Sequence, residues 1–197
     1  MSVKIVYFVH GTTTDNQSHK STGWNPGVLS ELCKQQSVDL RNKISNLDEI
    51  EFVISSDLQR AINSANNTFK GIKEIINDSR IRECNYGDLN GADSSLVRDE
   101  NHIEFPYPNG ESLKDVEKRI YAFCQYLLEN HDGKTIALVA HKAPQLALEV
   151  ITKNITWKEA LSNDWRKTGN WQPGWIYIIN KEELEQYEKN RVNNHRR

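Results

Sequence analysis

The sequence predicts an α/β sandwich built on a largely parallel sheet, and three observations carry that prediction. Four short apolar runs, Ile5–Val9, Phe52–Ile54, Ile136–Val139 and Trp175–Ile179, are rich in β-branched or aromatic residues and too short for typical helices. Stretches of helical periodicity lie between them, and strand alternating with helix is the pattern of a layered α/β domain. The first and third runs are almost unbroken in hydrophobicity, as befits strands covered on both faces.

Taken in order, Ile5–Val9 is the first strand, and it runs into His10-Gly11-Thr12-Thr13-Thr14-Asp15-Asn16. A helix follows, with Leu29, Leu32, Cys33, Leu40, Ile44 and Leu47 roughly on one face. The second strand, Phe52–Ile54, runs into Ser55-Ser56-Asp57-Leu58-Gln59-Arg60. Leu58, Ala61, Ala65, Phe69 and Ile72 then mark a second helix. The segment IRECNYGDLNG carries Gly87 and Gly91 and reads as a tightly turning loop. Leu113, Val116, Ile120, Phe123 and Leu127 form the apolar face of a third helix, which Ser112 can cap. The third strand ends at His141-Lys142, and Pro144 suits the first turn of a fourth helix. Trp175–Ile179 closes a domain spanning 1–181. The remainder, 182–197, is highly charged and reads as an exposed helix fraying into a tail.

The chain has 197 residues, 37% hydrophobic and 26% charged, with a formal net charge of −2. That length fits one well-buried domain. A mean hydropathy of −0.71 argues against an integral membrane protein. The opening MSVKIVYFVHG is too short in apolar residues, and too soon interrupted by His10, for a signal peptide. Near-neutral charge gives no general attraction to nucleic acid or membrane surfaces, so any anion must be held locally. The three cysteines, Cys33, Cys84 and Cys124, form no CxxC pair. They point to reduced thiols and a cytoplasmic location rather than a disulfide framework or a zinc site.

In such folds, ligands gather where strands end and helices begin. His10, Arg60 and His141 each follow a buried strand, so they converge if those strands are neighbours. A neutral imidazole is a competent nucleophile toward phosphorus. An Arg fork and a second His would neutralise charge on the phosphoryl oxygens. Glu83, in its glycine-bearing loop, is the candidate acid for the leaving oxygen.

These segments together resemble the histidine phosphatase superfamily, also called phosphoglycerate mutase-like, from about Lys4 to Ile179. FVHGTTTDN is similar to the family's opening strand and Arg-His-Gly segment. SSDLQRA resembles its Ser-x-Leu-x-Arg-Ala segment, ECNYGDLNG its Glu loop, PNGES the lead into the next helix, and VAHKAPQ the segment with the second His. The resemblance implies a three-layer α/β/α sandwich with a mostly parallel central sheet. It implies His10 as the nucleophile that becomes phosphorylated, Arg60 and His141 as phosphate ligands, and Glu83 as the acid. Gly11, Thr13 and Asn16 fall in the substrate-binding segment. It further implies hydrolysis of a small phosphorylated substrate with no metal and no cofactor.

Three departures qualify this. Val9 stands where the family has Arg before the nucleophile, so the pocket is one guanidinium short. Lys142, Lys20, the hydroxyls of Thr12, Thr13 and Thr14, and Arg166 or Lys167 are the candidates to compensate. Lys142 also stands where some branches carry an Asp acid, leaving Glu83 as the matching carboxylate. Ala92 to Asn109 is short and holds one arginine, Arg98, which favours hydrolysis over mutase chemistry. The missing arginine keeps a second reading open: a weak or inactive relative that binds a phosphorylated ligand or a protein partner. Four of the five tryptophans, Trp157, Trp165, Trp171 and Trp175, lie close together. They either pack against the sheet edge or wall a pocket, and Trp24 is a separate candidate for the pocket mouth.

Overall fold

The computed structural model describes residues 1–45, 47–169 and 172–194. In chain order it begins with β1 (Ser2–Val9), the short helix α1 (Thr14–Gln17), β2 (Lys20–Ser21), α2 (Glu31–Lys43) and β3 (Phe52–Ser55). Next come α3 (Gln59–Phe69), β4 (Glu74–Asn77), β5 (Ala92–Asp93), α4 (Leu113–Asn130) and β6 (Thr135–Ala140). The chain continues through α5 (Lys142–Lys153), α6 (Trp157–Ser162), α7 (Trp165–Thr168), β7 (Trp175–Asn180) and α8 (Lys181–Asn194). Among the described residues no helix is long and apolar enough to cross a membrane.

Five strands make the central sheet in the order β4-β3-β6-β1-β7. The first three neighbour pairs are parallel, and β7 runs antiparallel along β1. β1 and β6 are central, and both are buried over most of their length, as their unbroken hydrophobicity predicts. Alternation along β1 divides the core. Val3, Ile5 and Tyr7 pack with Val116, Ile120 and Phe123 of α4 and Leu146 of α5. Val6 and Phe8 pack on the opposite face with Ala65 and Phe69 of α3. The result is a three-layer α/β/α sandwich.

The register places the site. Val9 pairs with Ala140, and Ser55 with Val139, so β1, β3 and β6 end level. The His10 N–H donates to the Ala140 carbonyl (2.9 Å) and the Ser56 N–H to the Val139 carbonyl (3.0 Å). His10, His141 and the start of α3 therefore emerge side by side from one end of the sheet.

Several elements depart from the sequence reading. β4 is a fourth parallel strand on the sheet edge. Its pattern is mostly exposed, so it lacks the apolar run that marks a central strand. On α2 the buried positions are Cys33, Ser37 and the flanking Ile44, whereas Leu32 is 54% exposed. Cys33 is drawn inward because Gly11 sits against it: a Cβ on Gly11 would lie 1.8 Å from the Cys33 sulfur. Ile72 lies beyond the end of α3 and is exposed. The charged C-terminal stretch is helical to Asn194, and Leu184 and Tyr187 anchor it in the core with α4 and α5. Residues 195–197 of the expected tail lie outside the described residues.

The loop carrying Glu83 is held from several directions. Arg119 donates to the carbonyls of Arg80, Arg82 and Glu83 and pairs with the Glu111 carboxylate (2.9 Å). Asn85 accepts from the Gly87 N–H and from the Asn90 side chain. Gly87 has φ +55°, and a Cβ there would lie 2.0 Å from the Pro108 carbonyl oxygen, a backbone atom. Ser112 and Asp115 form the capping box that starts α4 beside this loop. Replacing Gly87 with Ala combines a left-handed backbone with a main-chain clash. We expect it to lower unfolding free energy by about 2–3 kcal/mol, measured by urea denaturation.

Candidate active site

Loops after β1, β3 and β6 wall a cavity of about 400 Å³ lined by His10, Asn16, Arg60, Glu83, Lys142 and Arg166 among others. His10 is fixed by its own segment. Its Nδ1–H donates to the Gly11 carbonyl (2.8 Å), which leaves the Nε2 lone pair facing the cavity side. Arg60 Nε–H points at that Nε2 from 3.3 Å. The Gly11 N–H in turn donates to Ser64 Oγ (2.9 Å), one turn beyond Arg60 on α3. Burial and then the Arg60 charge depress the His10 pKa to about 3, with Arg166 acting in the same direction. His10 is therefore neutral and nucleophilic at neutral pH.

Arg60 is 1% exposed although it lies in the first turn of a helix. Its guanidinium is oriented by backbone: Nη2 donates to the Gly23 carbonyl (2.7 Å) and Nη1 to the Asn25 carbonyl (3.2 Å). The loop after β2 thus serves as a template for the Arg60 guanidinium.

His141 is fully buried, and its ring lies 5.0 Å from that of His10. Neither ring nitrogen has a hydrogen-bond partner among the described residues. Burial, followed by the charge of Arg60, holds its pKa well below the ordinary value. Its backbone is locked by Tyr7, whose hydroxyl donates to the His141 carbonyl (2.7 Å) and accepts from the His141 N–H (3.1 Å). Leaving a buried imidazole unpaired costs about 1–3 kcal/mol, and His131 is unpaired in the same way; the His141 ring lies against the His10 ring but is not among the residues lining the cavity.

Glu83 is 7% exposed and is the one carboxylate among the cavity-lining residues. It accepts from the N–H groups of Cys84 (3.0 Å), Lys142 (3.2 Å) and Ala143 (2.9 Å), the last two being the first turn of α5. Trp24 sits outside that wall and steadies the same loop, its indole N–H donating to the Glu83 carbonyl (2.7 Å).

The remaining candidates separate into those that line the cavity and those that shape it. Asn16 lines it, with its Oδ1 accepting from both the N–H and the hydroxyl of Thr13. Thr13 itself is fully buried as the N-cap of α1 and is no part of the wall. Gly11 contributes main-chain bonds and the space that Cys33 occupies. Lys142 lines the cavity, but its ammonium pairs with Asp99 at 2.5 Å. Burial opposes that charge, and Asp99 outweighs burial, so its pKa is raised. Lys20 and Thr12 lie on the wall, Thr12 bonded to Gln36 at 3.3 Å, and Thr14 does not.

The tryptophans divide. Trp157 is buried and donates to Glu117, a packing role. Trp165 lines the cavity and stacks on Trp175, with centroids 5.0 Å apart. Trp171 lies outside the described residues. Lys167 pairs with exposed Glu100 (3.3 Å) and is not on the wall. Sequence reasoning missed Tyr7, Asp99, Arg119 and Gln145. Each acts through a fold-made contact, and none carries a local motif.

The chain resembles known proteins over most of its length. A family model for the histidine phosphatase superfamily (branch 1) matches residues 6–178. The 2,3-bisphosphoglycerate-dependent phosphoglycerate mutase of Bartonella henselae is 25% identical over 181 residues, covering 83% of this chain and 88% of the relative. Bacillus stearothermophilus YhfR has a TM-score of 0.76 at 23% identity, over 90% of this chain and 91% of its own. A phosphoserine phosphatase mutant from Entamoeba histolytica, in complex with phosphoserine, gives 0.70 at 20% identity, over 81% and 84%. At these identities the two structures establish a shared fold.

Both buried histidines link stability to pH. Because the His10 pKa is lowered to about 3, the unfolded chain binds more protons than the native one between about pH 3 and the ordinary value of 6.5. His141 acts in the same direction. Stability therefore falls as pH drops below about 6.5, with His10 contributing about 2 kcal/mol on reaching pH 5 and His141 adding to the fall. Thermal melts at pH 7.5 and 5 should show this loss, and His10→Gln and His141→Asn should each reduce it.

Proposed function

The chain belongs to the histidine phosphatase superfamily, and from that premise we propose that it is a metal-independent phosphomonoesterase that works through a phosphohistidine on His10. The observation that carries the reading is the pair of unpartnered, buried nitrogens of His141 beside the oriented Nε2 of His10. A phosphoryl group on His10 Nε2, set against the edges of both rings, would give His141 its missing partner. It would also take over the Arg60 Nε–H that now points at His10.

In the first step the His10 Nε2 lone pair forms a bond to phosphorus while the ester P–O bond breaks in line. Glu83 passes a proton to the leaving oxygen, so the product departs as an alcohol. Arg60 and His141 hold the phosphoryl oxygens. In the second step Glu83, now a carboxylate, takes a proton from water as that water attacks phosphorus. The P–N bond breaks, returning neutral His10 and inorganic phosphate.

Hydrolysis is favoured over mutase chemistry although the Bartonella relative is named a mutase. The segment from Ala92 to Asn109 holds one arginine, Arg98, which is exposed and absent from the cavity wall. A second anionic group therefore has no arginine clamp from that segment.

Wild-type protein should hydrolyse p-nitrophenyl phosphate, and His10→Ala should abolish turnover. Glu83→Gln should lower kcat by about 10²–10⁴. Rapid alkaline quenching of wild type should trap an acid-labile phosphate label that His10→Ala lacks. Wild-type turnover by His10→Ala would sink the mechanism.

Val9 favours a second reading, a phosphate-binding protein with little or no turnover, since losing one preorganised donor costs about 3 kcal/mol. On that reading wild type is inert and Val9→Arg gains activity. On ours wild type turns over without it.

A further inference from the structure

A phosphoryl group held against His10 and His141 needs more positive charge than Arg60 supplies, and Val9 withholds the strand-borne arginine. The cationic side chains on the cavity wall besides the histidines are Lys20, Arg60, Lys142 and Arg166. Lys142 is engaged by Asp99, and Lys20 is an exposed residue of the short strand β2 at the rim. Arg119, close by, gives its donors to Glu111 and to the carbonyls of the Glu83 loop. Arg166 is also paired with a carboxylate, Asp164, but its planar fork offers five N–H donors where the Lys142 ammonium offers three. We propose that Arg166, from α7, is the second guanidinium of the phosphate site, supplying from across the pocket the charge that Val9 does not. This deepens the phosphatase reading above and rests on it for the identity of the ligand.

Arg166 is built in from three sides. Asp164, which is 6% exposed, accepts from its Nη1 at 2.8 Å. Gln145 Oε1 accepts from its Nη2 at 3.2 Å. Its guanidinium carbon lies 4.4 Å from the centre of the Trp165 ring, a stacking arrangement that fixes its plane. Gln145 sits one helical turn after His141, and its N–H donates to the His141 carbonyl (3.4 Å), so α5 ties the guanidinium to the second histidine. Gln145 is itself buried and shared with the Trp165 indole N–H (3.1 Å). These contacts use one N–H on each terminal nitrogen, leaving other donors of the fork available to an oxyanion. The charge of Arg166 is felt at both rings, lowering the pKa of His10 and of His141 alike. A cation held rigid by a carboxylate, an amide and an indole needs no reorganisation when phosphate arrives.

The test is binding of inorganic orthovanadate by calorimetry, alongside turnover of p-nitrophenyl phosphate. Arg166→Gln should weaken vanadate at least tenfold and lower kcat/KM about a hundredfold. Lys167→Gln removes the same charge one residue away and should change neither by more than about twofold. The double variant Val9→Arg, Arg166→Gln should recover at least tenfold of the lost affinity. A merely structural role for Arg166 would make Arg166→Gln cost as much in the Val9→Arg background as in wild type, whereas a shared phosphate role makes it cost at least threefold less there. If Arg166→Gln does not fold, the Arg166 Nε–H resonance of wild type should shift on adding phosphate. Unchanged vanadate affinity in Arg166→Gln, absence of recovery, or an unmoved Nε–H resonance would each overturn the proposal. Wild type that binds vanadate through Arg166 yet hydrolyses nothing would overturn the phosphatase reading and leave this one standing.

Discussion

The pairing of β1 with β6 is the constraint on which the rest of the site depends. Val9 opposite Ala140 brings the two strands to an end together, and the His10 N–H donates to the Ala140 carbonyl across that boundary. Residues 131 positions apart in the chain thereby become neighbours with rings 5.0 Å apart. A slip of one residue would turn the strand's core face toward the wrong layer. The alternation of Ile5 and Tyr7 against Val6 and Phe8 between two packed faces resists that slip. Hydrophobic burial thus sets the spacing of two polar groups that contribute nothing to it.

Around this axis the protein orients charge with backbone. Arg60 is aimed by the carbonyls of Gly23 and Asn25, and Glu83 by the first N–H groups of α5. His10 is held in one tautomer by the Gly11 carbonyl. Main-chain atoms move less than side chains, so donors and acceptors set this way are preorganised. The consequence is a site with buried, neutral imidazoles and a buried guanidinium, whose balance is unfavourable without an anion. Burial is the larger cause of the lowered histidine pKa values; the smaller, the Arg60 charge, is the one a bound anion would offset.

Much of the fold was legible because central strands and amphipathic helices carry their burial in local pattern. β1, β6 and α4 are examples, with Ser112 marking where α4 begins. Edge elements were not legible. Glu74–Asn77 gains its strand from the unpaired edge of β3 and shows no apolar run of its own. Leu32 looks like a core residue by spacing, yet α2 is rotated so that small Cys33 meets Gly11. Helical period indicates that a face exists, but steric fit selects which residues occupy it.

For the site the same division holds. The sequence by itself determined the chemistry on offer: His10, Arg60 and His141 after buried strands, Glu83 in a turning loop, and an apolar Val9 directly before His10. Only tertiary structure decided their working geometry. It made Thr13 a cap instead of a wall residue and drew the Lys142 ammonium to Asp99. It also brought Tyr7, Gln145 and Arg166 into contact with the His141 segment and its cavity. The reason is physical. Residue type and local spacing state what a side chain can do, whereas its partners and its burial are set by segments distant in the chain.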